Sequence, residues 1–239
     1  MKVINLDRKI FEKAYSLCSK DFEHNEIFNI LKNSDDTEKQ IAILKLKTVA
    51  TTEEASMLVF HLTEHDGPVR EAVALKLKEL LLEKNCKTLD DTRFYPDYVA
   101  GVCDVNPNIC RCIIDFLPML NAQDTLLETI LSKTEHIYQR IETPDKDQKN
   151  FLRVRIFNIY WCLEAIGTIL KLSEIDSQTE TRLYKILEKA ITFEDYTIDE
   201  KVAQILAQNK HNEQLNSIKQ KLKNADNFYV KRYFKDEKK

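Results

Sequence analysis

Residues 66–81 read DGPVREAVALKLKELL, and residues 35–47, thirty-one positions earlier, read DDTEKQIAILKLK in the same rhythm. The echo extends along the chain. An Asp or Asn opens a helical pattern at Asp35, Asp66, Asn106 and Asp195. Three residues on stand Glu38, Val69, Ile109 and Ile198; seven on, Ala42, Val73, Ile113 and Val202; eleven on, Leu46, Leu77, Leu117 and Leu206. A side-chain oxygen at the opening position can accept hydrogen bonds from the free amides of the first turn, and the three offsets fall on one helix face. Composition alone does not align a cap and three largely apolar columns four times, so the chain reads as copies of one unit. The last interval leaves room for a diverged copy between Asn150 and Leu172, FLRVRIFNIYWCLEAIGTIL. Between these helices lie others of the same period: Ala55, Leu58, Val59 and Leu62; Leu127, Ile130, Leu131 and Tyr138; Leu183, Ile186, Leu187 and Ala190. First and second helices alternate, and stacking the pairs buries both faces in one continuous core.

Composition agrees with this reading. The 239 residues are 43% hydrophobic, enough for a sizeable core, but include only three glycines and five prolines, too few for the tight turns of a sandwich, a barrel or a doubly wound sheet. The opening MKVINLDRKIFEKAY has scattered charges and no apolar signal core, so the six cysteines read as reduced thiols of a cytoplasmic protein. No apolar run is long enough to span a membrane. Residues 219–239 carry eight Lys/Arg against three Asp/Glu, leaving 28 against 36 in the preceding 218. An acidic body argues against nucleic acid as the partner.

Asp66-Gly-Pro-Val69-Arg70, followed by Val73 and Leu77, resembles the first helix of a HEAT repeat. Lys39 stands in the place of Arg70, and Cys110 and Asp199 replace it in the other copies. The resemblance runs over roughly residues 22–223. It implies an all-α chain, an α-solenoid with a right-handed superhelical turn of five to six antiparallel helix pairs. The expected organisation is a repeat domain over residues 1–225, a loop at Thr143–Lys149, and a capping segment and tail over 226–239. It also implies a non-catalytic scaffold that holds a protein or peptide on a concave surface lined by second helices; no cofactor is expected, and the sequence leaves the oligomeric state open, with a monomer as the expectation.

On the second helix EEASMLVFHLTEH, the residues left after Leu58 and Leu62 enter the core are Glu54, Met57, His61 and Glu64, a Met beside His and acids that suits a peptide groove. Arg153 and Arg155 add a candidate anchor for an acidic peptide or small anion. They lie two apart and cannot share a helix face, so at least one must leave the apolar side or find a partner.

Three enzymatic readings compete. His61-Leu-Thr-Glu64-His65 matches H-x-x-E-H, the zinc order of the inverted zincins, with Glu135 or Glu142 available as a further ligand. The match has three fixed positions and sits at a helix C-terminus, where histidine is favoured in any case, so no metal is expected. The stack is similar in size to the alkylpurine DNA glycosylases, which present a basic groove where this body is acidic. Leu163–Gly167 reproduce the L-E-A-I-G ending of the phycobilin lyase repeats. Cys103, Cys110 and Cys112 lack the C-x2-C spacing of structural zinc sites, and neither a phosphate-binding glycine loop nor a G-x-S-x-G elbow occurs. The tail NADNFYVKRYFKDEKK is expected to cover the last repeat through Tyr229 and Tyr233, with RNA binding by its aromatic and basic residues as the competing role.

Overall fold

The computed structural model describes residues 8–64, 66–83, 86–143, 152–173, 175–208, 215–224 and 227–237. Among these the chain is all-helical and no strand forms. The loop expected at Thr143–Lys149 lies, beyond Thr143, outside the described residues, as do His65 and Asp226.

The caps read from the sequence form as hydrogen bonds. Asp35 accepts from the Glu38 amide at 3.0 Å at the start of α3 (Asp36–Lys45), and Asp66 from Val69 at 2.9 Å at the start of α5 (Gly67–Lys78). Asn106 accepts from Asn108 at 2.9 Å before α7 (Pro107–Phe116), and Asp195 from Thr197 at 2.9 Å before α11 (Tyr196–Gln208). Each cap satisfies donors that the helix start leaves open and contributes about 1 kcal/mol. The columns behind them close: Ala42, Val73, Ile113, Val202, Leu46, Leu77, Leu117 and Leu206 are all 2% exposed or less. In the first column Val69, Ile109 and Ile198 are buried, while Glu38 turns outward to pair with Lys13 at 2.7 Å.

The chain divides into two compact units, one of Met1–Gly101 with Asn106–Met119, the other of Val102–Val105 with Leu120–Lys239. In the first, α3 packs against α5 and α5 against α7, forming one row. Beside it α2 (His24–Asn33) packs on α4 (Thr52–Phe60), and α1 (Arg8–Ser19) lies against α3. An ion pair of 2.6 Å between Lys78 and Asp115 links α5 to α7. Arg70 donates to the Glu64 carbonyl at 2.9 Å. Past α5 the backbone widens into a π turn, Glu79–Glu83, which keeps Leu80 and Leu81 buried. Gly101, in α6 (Tyr95–Val102), sits at a close approach: an added Cβ would meet Ile113 and Leu62 side chains at 3.2 Å.

In the second unit α9 (Leu152–Ile169) packs on α8 (Gln123–Glu142) and α11, and α10 (Ser177–Ala190) on α8 and α12 (Leu215–Lys223). Arg182 of α10 reaches Glu135 at 2.8 Å and also Glu128, both on α8. The short α13 (Phe228–Lys231) lies against α11 and α12, but not through the tyrosines expected from the sequence. Val230 and Phe234 are the buried pair, whereas Tyr229 is exposed and Tyr233 half-exposed. The Arg232 guanidinium lies over both tyrosine rings, at 5.8 and 4.9 Å, and pairs with Glu200. Of these four, the side chains without a hydroxyl enter the seam, and the two tyrosine rings go to the solvent side with the cation.

Candidate functional site

The second-helix residues are held by their own neighbours. Thr51 caps α4 by accepting from the Glu54 amide at 3.2 Å, and the Glu54 carboxylate reaches back to the Ala50 amide at 2.7 Å and faces His24 Nε2 at 2.8 Å. Burial opposes ionisation of Glu54, but these partners outweigh it and hold its pKa below the usual carboxylate range. Met57 is half-buried. His61 is only 3% exposed, with its ring edge-on to Phe60 and its Nδ1 2.8 Å from Glu64 Oε2, too oblique for an aligned hydrogen bond. Lys39 approaches the same carboxylate at 3.5 Å. Burial again opposes ionisation of Glu64, and His61 and Lys39 together lower its pKa. The His61–Glu64 half of the H-x-x-E-H match is thus an internal contact. Among the described residues no group of three or more His, Cys, Asp or Glu side chains could hold a metal ion.

The two arginines of α9 separate, as their spacing demands. Arg155 is buried and donates to the Arg140 carbonyl at the end of α8. Arg153 is exposed and has no ion-pair partner among the described residues. Below it on the same face stand Ile156, Phe157 and Tyr160, and with Asp195 just before α11 and Thr197 within it they line a groove of about 470 Å³, within the ~300–1,000 Å³ range of ligand sites. Phe157 and Tyr160 pack edge-on against the buried ring of Trp161, at 5.9 and 5.1 Å between centroids, so the groove's aromatic wall is fixed from below. Lys201 sits 5.3 Å over the Tyr160 ring and pairs with Glu164, tying α9 to α11. Gly167 permits this approach, since a Cβ there would come 3.2 Å from Ile205.

The α11 side of the groove is acidic. Asp195 Oδ1 accepts from the Thr197 and Ile198 amides and, at 2.5 Å, from the Thr197 hydroxyl. Asp199 has one oxygen sealed from solvent without a hydrogen-bond partner. Burial first, then the charges of Asp195 and Glu194, push its pKa up to about 6. An acid whose pKa is higher folded than unfolded contributes stability that is full below about pH 4 and lost as pH rises through about 6. Asp199→Asn is therefore expected to raise stability at pH 7 by about 1–3 kcal/mol and to flatten the fall between those limits. Urea unfolding as a function of pH measures both.

Elsewhere in this unit the sulfurs of Cys103 and Cys162 lie 3.4 Å apart. Hydrogen bonding to Cys162, then burial, pushes the Cys103 thiol far above its ordinary range, which suits packing and not nucleophilic chemistry.

Of the residues singled out from the sequence, the structure places Arg153 on an open surface and Glu54, His61, Glu64 and Arg155 among internal contacts. The groove's other walls escaped the sequence reading because α9 is apolar nearly all round. The usable signal was the spacing of Arg153, Ile156, Phe157 and Tyr160, at i, i+3, i+4 and i+7, a helix face in its own right. No helix among the described residues is long and apolar enough to cross a membrane. Comparison with protein-family models, with curated proteins and with solved structures finds no match to this chain.

Proposed function

We propose that this chain is a non-catalytic interaction scaffold, an α-solenoid of HEAT-like helix pairs in a right-handed superhelix, that holds a protein or peptide partner. The repeated cap and its closed columns support the repeat reading. The packing of first helices on first helices within each unit supports it too. The observation that carries the binding role is the groove between α9 and α11, an apolar, aromatic-walled surface with Arg153, which has no ion-pair partner among the described residues, at its rim. Half-exposed aromatic rings braced by a buried neighbour lose little entropy on contact, which suits recognition of a side chain from another molecule.

The test is chemical cross-linking capture from the native cell with the wild-type chain and with Ile156→Glu, which places a charge in the groove without removing a stacked ring. The expected result is a protein partner captured by the wild type and lost, or reduced at least about tenfold, by the variant at unchanged helicity. Equal capture by both would remove the groove from the binding role. Turnover of a small molecule by the purified chain, with no protein captured, would replace the scaffold by an enzyme.

A further inference from the structure

Resting on the reading of the α9–α11 groove as a binding surface, we infer that its ligand is an acidic, apolar peptide segment: a large aliphatic or aromatic side chain seated on Phe157 and Tyr160, with an adjacent carboxylate on Arg153. Charge complementarity selects this chemistry. Of the lining side chains, Asp195 accepts from two amides and a hydroxyl at the start of α11; the neighbouring Lys201, over the Tyr160 ring, is paired with Glu164. Arg153 is the cation among these lining residues, and it has no ion-pair partner among the described residues. Its guanidinium presents donors in a planar fork that matches a carboxylate in two-point contact.

The opposite wall fixes the direction in which such a segment lies. Glu194, Asp195 and Asp199 gather at the N-terminus of α11, and Glu194 projects from a left-handed backbone position with φ of 53°. These acids repel a ligand carboxylate from the α11 side and leave Arg153 as its place, while the apolar part drops between Ile156, Phe157 and Tyr160. A basic peptide meets the reverse field, with its cation beside Arg153 or drawn out of the aromatic part toward the acids. Electrostatics therefore decides between two peptides of equal hydrophobicity.

Trp161 makes the binding observable. It is the only tryptophan in the chain and touches both groove rings, so occupation of the groove changes its emission. The probes are two end-blocked pentapeptides, each with one Leu and one Phe, completed by three Glu in the first and three Lys in the second. The expected result is a saturable change in Trp161 emission with the glutamate peptide below about 1 mM and none with the lysine peptide. Arg153→Ala should weaken the glutamate peptide about fivefold, a partly solvated ion pair's share, and Arg153→Glu should exchange the preference. Arg153 is exposed, so both variants keep the wild-type helicity. Equal response to the two peptides, no saturable response, or an unchanged affinity in Arg153→Ala overturns the inference. A native protein partner still captured by Arg153→Glu but lost in Ile156→Glu would sink the acidic ligand while leaving the scaffold in place.

Discussion

Leu77→Ala is expected to lower the free energy of unfolding by about 2–5 kcal/mol, whereas Leu75→Ala, two residues away on the same helix, should change it by less than about 0.5 kcal/mol. Leu77 belongs to the column eleven residues after the cap and is fully buried, and its packing closes the row of α5 against α3 and α7. Removing its branched end leaves a cavity that close-packed neighbours fill only in part. Leu75 is 46% exposed, so its loss returns little apolar area to water. Urea unfolding followed by circular dichroism compares the two directly. Equal costs would mean that the repeated columns do not mark the core.

Ending the chain after Asn224 should cost about 3–6 kcal/mol, the burial of two large apolar side chains. Val230 and Phe234 are removed outright, and Ile218 and Leu222 of α12, both buried, lose a neighbouring element. Exposed apolar surface at the end of a helical stack drives association, so a lower melting temperature should come with light scattering that grows with concentration. The two Lys–ring contacts to Phe234, from Lys219 at 5.8 Å and Lys223 at 5.7 Å, disappear in the same truncation. An unchanged melting temperature together with lost affinity for RNA would assign the segment to nucleic acid and not to covering the end.

The caps and the buried columns were legible in the amino-acid sequence because each is local. Asp35, Asp66, Asn106 and Asp195 accept amides two or three residues ahead, and a column at seven and eleven residues is a property of one helix. What lies against a helix is not local. His61 reads as an outward residue by period, yet it is buried because a 3-10 turn, His61–Thr63, tightens the end of α4 and rotates the ring inward. In α9 nearly every face is apolar, so periodicity could not say that Ile159, Cys162 and Ile166 meet neighbours while Ile156, Phe157 and Tyr160 line an open groove. The tail shows the same division. That its apolar residues pack was legible in composition, but the choice of Val230 and Phe234 over Tyr229 and Tyr233 depends on how α13 approaches α11 and α12. Sequence by itself determined which residues make helices and where those helices start, because backbone hydrogen bonds and helical period act within a dozen residues. Only the tertiary structure decided which apolar faces are covered and which stay open, because that depends on the placement of segments far apart in the chain.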